Sequence, residues 1–372
     1  MNVNELLNTL HEIAADPRAQ LNKYLSQGKQ VVLTAPVYTP EELIHAMGLV
    51  PMGAWGGDVE LNRSKRYFPA FICSIAQSIV ELGMADVYKG ASAIVVPTLC
   101  DSLKVLVENL KYAVPQLPVV PMTYPQNRKP AFALDFTKAG YQRVADDLKR
   151  ITGAELSMDK LAASIQVYNA HNAAMRRAAA VLAVHPEVTA QQRSDVFKSA
   201  FFMLKEEHTV LVNQLCDALE AQPTACAKIP VLVSGILTDS EGLNEVLDAA
   251  GLHIVADDVA AQSRQYRTDA PVTGDPMDDL ARKFSAMDHC SVLYDVTKAR
   301  CDMIVETAKA SGAKGVLLVL TKFCDPEEFD NPMILKKCAE AGIPATVIEV
   351  DRQMKHYEQA RTAVETFRDM LA

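Results

Sequence analysis

Short, wholly apolar runs alternate with longer stretches of helical spacing over much of this chain. Val31, Val32 and Leu33 are followed by a Pro-containing turn and an amphipathic stretch from Glu41, the pattern of one strand and one helix. The same pattern recurs in ASAIVVPTLC followed by DSLKVLVENLKYAV, and LPVVPMTY supplies a further strand. A strand that is apolar at every position has both faces covered, so the alternation predicts a parallel sheet flanked by helices. Between about Lys138 and Leu219 the strand signals vanish, and GYQRVADDLKRI and VFKSAFFMLKEEHTVLVNQLCDAL show helical periodicity. Strand and helix then alternate again through IPVLVSGIL, SEGLNEVLDAAG, LHIVAD, KGVLLVL and EAGIPATVIEV, ending in a helix from about Gln353.

The pattern predicts an α/β protein with two doubly wound parallel-sheet domains joined by a mostly helical segment. The expected division is 1–150, a helical connector 151–225, and 226–372, with the second boundary in AQPTACAKIP just ahead of a strand. A chain of 372 residues, 49% of them hydrophobic, can bury more than one core. Charged residues at 22% and aromatics at 6% fit a folded α/β protein rather than a fibrous or disordered one.

A formal charge of -9, with no cluster of Lys and Arg, argues against a nucleic-acid partner. The opening residues MNVNELLNTLHEIAADPRAQL lack the basic and apolar regions of a signal peptide, and no apolar run approaches the ~20 residues that span a bilayer. A cytoplasmic location without a membrane partner is expected.

The eight cysteines are Cys73, Cys100, Cys216, Cys226, Cys290, Cys301, Cys324 and Cys338. A reducing compartment disfavours a disulfide framework, and the absence of any CxxC pair removes the common zinc and thioredoxin-like patterns. In open α/β sheets ligands gather at the carboxyl ends of strands. Cys100 follows the run from Ala93 to Val96 through Pro-Thr-Leu and precedes a helix, and Cys324 stands in the same relation to Gly315–Leu320. Cys73, in YFPAFICSIAQSIVELG, lies near the start of another helix.

A helix N-terminus favours the thiolate, the form that binds metal. Two such thiolates from the first domain and one from the second would meet in the cleft between them and suit an iron-sulfur cluster. Against this stands the ordinary fate of a free cysteine, which is to be a small buried apolar filler; spacing alone favours that outcome. It is the expectation adopted for Cys216, Cys226, Cys290, Cys301 and Cys338.

His45 and His208 sit at unremarkable helical positions and receive no role, and for Trp55 in MGAWGGD packing is favoured over cofactor contact. No GxGxxG, Walker A, GxSxG or HExxH pattern occurs, which removes the main signals for nucleotide hydrolysis, serine hydrolysis and zinc hydrolysis.

Several longer segments appear in a fixed order: PVYTPEELIHAMGLVPMGAWGG, RYFPAFICSIAQS, PTLCDSL, YPQNRK, FFMLKEEHT, ADDVAAQSRQYRTDAP and KFCDPEEFDNP. Over nearly its whole length the chain thereby resembles the smaller (beta) subunit of the 2-hydroxyacyl-CoA dehydratases, relatives of the benzoyl-CoA reductases. The resemblance implies a [4Fe-4S] cluster held by Cys73, Cys100 and Cys324 in the cleft between the domains; some relatives also carry a flavin. It implies a lyase active only together with a homologous larger (alpha) subunit, which binds the acyl-CoA, and with an ATP-hydrolysing iron-sulfur activator. The missing P-loop agrees with that division.

In the mechanism the family implies, one electron enters the thioester carbonyl and the resulting ketyl radical anion expels the 2-hydroxyl. The C3 proton is thereby acidified, and after its removal the electron returns to the enzyme. The expected share of this chain is electron delivery and storage, and no catalytic acid or base is assigned to it. Tyr124 stands before PQNR where many relatives have His, so no role is carried over to that position. Substrate choice is expected from the larger subunit; the Met52–Asp58 loop is where it would otherwise be sought on this chain. The alternatives are a subunit of an ATP-dependent reductase of the benzoyl-CoA reductase or double-cubane type, and a metal-free two-lobed small-molecule binding protein.

Overall fold

Asn2 opens the first helix by accepting from the Glu5 backbone N–H while the Glu5 carboxylate accepts from the Asn2 N–H, so the chain begins with a capping box. The computed structural model describes residues 1–224 and 228–371; Cys226 and the expected boundary at Ala225 lie outside the described residues. Helices α1 (Val3–Ala15) and α2 (Pro17–Ser26) lead into β1 (Val31–Thr34), α3 (Glu41–Ala46), β2 (Val50–Gly53), α4 (Ser74–Met84), β3 (Ala93–Pro97), α5 (Asp101–Ala113) and β4 (Val119–Met122). Four helices follow, α6 (Ala131–Thr152), α7 (Met158–Ala183), α8 (Ala190–Ser199) and α9 (Lys205–Glu220). The last part runs β5 (Ile229–Gly235), α10 (Glu241–Ala249), β6 (Leu252–Val259), α11 (Ser263–Tyr266), α12 (Pro276–Ala286), α13 (Ala299–Ser311), β7 (Gly315–Thr321), α14 (Asp325–Glu340), β8 (Ala345–Val350) and α15 (Glu358–Leu371).

The strands form two four-stranded sheets with the orders β2-β1-β3-β4 and β6-β5-β7-β8. Every pairing is parallel. The two halves therefore share one topology, and in each the strand order reverses between the first and third strands of the sheet. The uniformly apolar runs are the inner strands, with β1, β3 and β7 buried at every position. Strand β2 was not foreseen from the sequence. It is four residues long and contains Pro51, and it survives as an edge strand paired only to β1, where a missing N–H can be tolerated.

The α6–α9 region is helical as its periodicity indicates. Helix α1 packs on α8 and α9, and Leu6, Leu7 and Leu10 share a core with Met175, Phe197, Val212 and Leu215. The C-terminal helix starts at Glu358 rather than near Gln353, because the intervening backbone is engaged elsewhere. The Gln353 N–H donates to the Asp351 side chain, and the Arg352 backbone bonds Val59 N–H and Ser74 Oγ of the first domain.

Among the helices, a line of buried imidazoles joins α7, α8 and α9. The Ser199 hydroxyl donates to the Val196 carbonyl (3.2 Å), His208 Nε2 lies 3.1 Å from Ser199 Oγ, and His171 Nε2 lies 3.0 Å from His208 Nδ1. With the serine proton on the carbonyl, His208 donates through Nε2 and accepts at Nδ1, so both rings are neutral. Burial holds the His171 pKa well below 6.5, with His208 adding to the effect, and burial brings His208 down to about 3.

Folded imidazoles that resist protonation stabilise the fold fully above pH 6.5. That stabilisation is lost as pH falls through the 6.5 value of the unfolded chain, since only the unfolded state then takes up the protons. The urea midpoint is accordingly expected to fall between pH 7.5 and pH 5. This lies above the range of a buried carboxylate such as Asp239, held at about 2 by Arg352 against the opposing effect of burial. A double variant His171→Asn, His208→Gln that folds and keeps the full pH dependence would show that the effect comes from elsewhere.

Candidate functional site

Three helices point their N-termini at one cavity. Cys73 is the residue capping α4, Cys100 the one capping α5, and Cys324 the one capping α14. All three line a space of about 650 Å³ that the two domains enclose together. The backbone arrives there for a topological reason: β3 and β7 are the third strands of their sheets, beside the points where strand order reverses, and the loops leaving them carry Cys100 and Cys324. Cys73 comes from the start of α4, the helix that crosses from β2 to β3.

The N–H groups of Ile75 and Ala76 face the Cys73 thiol, those of Ser102 and Leu103 face Cys100, and that of Glu327 faces Cys324. These dipoles favour a thiolate, yet burial outweighs them. It raises the Cys73 pKa, pushes Cys100 up to about 12, and lifts Cys324 well above its ordinary value, with Glu327 and Cys73 adding to the last. Each thiol also feels the charge of its neighbours, Cys73 acting on Cys100 and on Cys324. The two lysines that line the cavity, Lys104 and Lys298, are each paired with a carboxylate, Asp101 and Asp330.

Three thiols are the donor type that the iron-sulfur core implied by the family resemblance would take. Among the described residues no group of three or more His, Cys, Asp or Glu closes on a point, as a single ion would demand. A cluster places each thiolate on a different iron and so needs ligands spread around a larger volume, which the cavity provides.

One wall of the cavity depends on buried charge. Asp258 in β6 accepts from Arg264 Nε and Nη2 (both 3.0 Å) and from Arg300 Nε (2.8 Å). Glu327, in the first turn of α14, accepts from Arg264 Nη2 (3.0 Å), Arg300 Nη2 (2.8 Å) and the Ser291 hydroxyl (2.7 Å). Asp330 accepts from Arg300 Nη1 at 2.9 Å. All of these charged side chains are buried. Burial alone would raise the Asp258 pKa, but Arg264 and Arg300 hold it well below the usual carboxylate range.

The remaining residues considered from sequence fall away from this cavity. Cys216 and Cys338 are buried in helix packing, Cys301 lies buried in α13, and Cys290 is buried against Arg264. His45 pairs with Ser164 (2.9 Å) on the α3–α7 contact. Trp55 packs on Phe201 with ring centroids 4.9 Å apart. The Met52–Asp58 loop does not line the cysteine cavity; Asp58 instead pairs with Arg352. Tyr124 is buried, donates its hydroxyl to the Tyr38 carbonyl and stacks on Phe284, so it is a packing residue here.

Sequence reasoning missed Arg128, Arg264, Arg300 and Arg352; apart from Asp258, six residues before Arg264, their partners lie far along the chain. The one available signal was the acidic pair closing an apolar strand, Asp257 and Asp258 in LHIVADDV, which a buried position obliges to find cations.

The profile of a family described as 2-hydroxyglutaryl-CoA dehydratase, D-component, matches residues 36–371. The chain is 40% identical to the (R)-phenyllactyl-CoA dehydratase beta subunit of Clostridium sporogenes, with 100% of both chains covered. It is 36% identical to the lactoyl-CoA dehydratase subunit beta of Anaerotignum propionicum, covering 99% of each. It is also 36% identical to the (R)-2-hydroxyglutaryl-CoA dehydratase subunit beta of Acidaminococcus fermentans, covering 100% of each.

Replacing Asp258 by Asn removes the carboxylate shared by Arg264, Arg300 and Arg267 and turns an amide NH2 toward buried guanidinium donors, and a loss of about 3–5 kcal/mol is expected. Urea unfolding of the variant measures it, with Arg368→Ala on exposed α15 as a control expected to stay within about 0.5 kcal/mol. Equal midpoints for both variants would show that the network is not holding this wall.

Proposed function

The chain belongs to the 2-hydroxyglutaryl-CoA dehydratase D-component family, and from that premise we propose that it is the beta-type subunit of an iron-sulfur 2-hydroxyacyl-CoA dehydratase. The observation that carries the reading is the meeting of Cys73, Cys100 and Cys324 at three helix N-termini around one cavity. A [4Fe-4S] cluster bound there would supply one-electron transfer at low potential. The protein's own contribution is to hold three thiolates from both domains and aim backbone N–H groups at their sulfurs. Hydrogen bonds to sulfur, burial and the nearby buried charges are what tune such a centre.

The chain supplies no general acid or base in this reading. Acyl-CoA binding and C3 deprotonation fall to the homologous larger subunit, and the first electron to a separate ATP-dependent activator. The surface supports a partner of that kind. Tyr294, Val296 and Phe329 line the cavity and are 53%, 74% and 74% exposed, and Phe71, two residues before Cys73, is 68% exposed. An apolar rim of this sort on a folded protein marks an interaction site. Three full-length relatives named as dehydratase beta subunits favour dehydration over net reduction. No helix among the described residues is long and apolar enough to cross a membrane.

Anaerobically purified protein is expected to contain about four iron atoms per cluster, as the [4Fe-4S] assignment requires. Cys73→Ser, Cys100→Ser and Cys324→Ser should each remove or cripple it while Cys216→Ser should not. Full iron occupancy in all three ligand variants would overturn the assignment. Co-expression with a larger subunit, followed by assays with activator, ATP and reductant, tests the activity. Enoyl-CoA formation with catalytic electrons is the expected result, and stoichiometric electron consumption would assign the chain to a reductase instead.

A further inference from the structure

Between α12 and α13 the chain runs for twelve residues, Met287 to Lys298, with neither helix nor strand. Connections of that length inside a compact domain usually have work to do. This one forms a continuous wall of the cysteine cavity through Ser291, Val292, Leu293, Tyr294, Asp295 and Val296. It turns through left-handed backbone near each end, at His289 (φ 59°) and Lys298 (φ 52°), conformations a side-chain-bearing residue adopts at a cost.

Its two attachments differ in kind. On the side of its own domain, Ser291 is held by Glu327 (2.7 Å) and Arg264 (3.1 Å) within the buried charge network. Cys290 and Leu293 are buried in the apolar core and Lys298 pairs with Asp330, while the polar contacts to the first domain run chiefly through Arg128. The Arg128 guanidinium donates through Nη2 to the Met287 carbonyl (2.7 Å) and to Asp288 Oδ1 (2.9 Å), and through Nη1 to the Tyr294 carbonyl (3.2 Å). Arg128 is buried, and the exposed Lys129 adds only a bond to Asp288 and one to the Ser285 carbonyl. One side chain thus fastens both ends of the cavity wall to the other domain.

We propose that Met287–Lys298 is a hinged cover over the three-cysteine cavity, latched by Arg128, and that its opening controls the traffic of iron into and out of the site. The covering face is the Val292–Val296 stretch, hinged between the fixed Ser291 contact with Glu327 and the left-handed Lys298. Removing the latch strands two backbone carbonyls and frees the covering stretch without touching a cysteine or the charge network.

The test compares Arg128→Gln and Arg128→Lys with the unchanged full-length chain, in the assembly in which it purifies, under anaerobic conditions. Metal-free protein is labelled with a bulky maleimide, and the rate at each cysteine is read by peptide mass spectrometry. Loss of three charge-assisted hydrogen bonds is expected to speed labelling of Cys73, Cys100 and Cys324 roughly ten- to a hundredfold in Arg128→Gln, with Arg128→Lys in between. Cys216 and Cys338 should keep their rates. Unchanged rates at the cavity cysteines, or an equal rise at Cys216 and Cys338, would overturn the proposal.

Should Arg128→Gln fail to fold, hydrogen exchange of the unchanged protein decides. The 292–296 amides must open without the α13 amides, and joint opening overturns the cover. A second arm measures iron loss to a chelator from cluster-loaded protein, expected to accelerate with labelling. That arm alone rests on the cluster reading, so faster labelling in a protein that never takes up iron would sink the cluster and leave the cover standing.

Discussion

Two guanidiniums and three carboxylates buried at the carboxyl end of the second sheet can exist only as a set. Each of Asp258, Glu327, Asp330, Arg264 and Arg300 would be strongly destabilising without its partners, and together they leave few ways to arrange the elements that carry them. Asp258 comes from β6, Arg264 from α11, Arg300 from α13, and Glu327 and Asp330 from α14. Satisfying them fixes how α13 and α14 sit against the sheet, and so where Cys324 faces. Through Ser291 the same set reaches the wall opposite the cysteines. The functional geometry of the second domain follows from where its buried charges can be paired.

How much of this could be read beforehand depended on whether the signal was local. The inner strands were legible because burial on both faces demands uninterrupted apolar residues, as in Gly315–Thr321. The placement of Cys100 and Cys324 was legible for the same reason, since a thiol three or four residues beyond such a strand must lie at the carboxyl edge of the sheet. Strand β2 was not, because four residues with a proline look like a turn until β1 offers them a partner. Arg128 and Arg352 were opaque, because nothing near them in the chain reveals that Arg128 reaches Tyr294 or that Arg352 reaches Asp58. Resemblance to a family named the three cysteines as a set; spacing alone left them as three buried thiols.

The repeated topology explains why the cysteines divide two and one. With the same order in both sheets, the loops after β3 and β7 occupy corresponding places and each contributes one cysteine. The third cysteine comes from the crossover preceding β3, where α4 begins directly after Cys73. In the second half the crossover preceding β7 is longer, passing through α11, α12 and the irregular stretch before α13. That extra length supplies a wall of the cavity. One half thus brings two cysteines to the cavity, and the other brings one plus the Met287–Lys298 stretch.

A site divided between two domains is only as well placed as the domains are relative to each other. Here that relation is set by side-chain contacts, some buried and some near the surface. Lys283 pairs with Glu42, Lys138 with Asp278, and Arg352 grips Asp239 of its own domain and Asp58 of the other. Arg352 is the most telling of them. Its backbone N–H donates to Ser74 Oγ at 3.0 Å, and Ser74 is the first residue of α4, next to Cys73. The residue that locks the second domain to the first therefore also holds the start of the helix presenting one of the three thiols. Interiors packed at crystal-like density pass such a constraint on with little slack. A buried arginine just after β8 thus ties the helix that presents Cys73 to the second domain, well outside any motif that contains a cysteine.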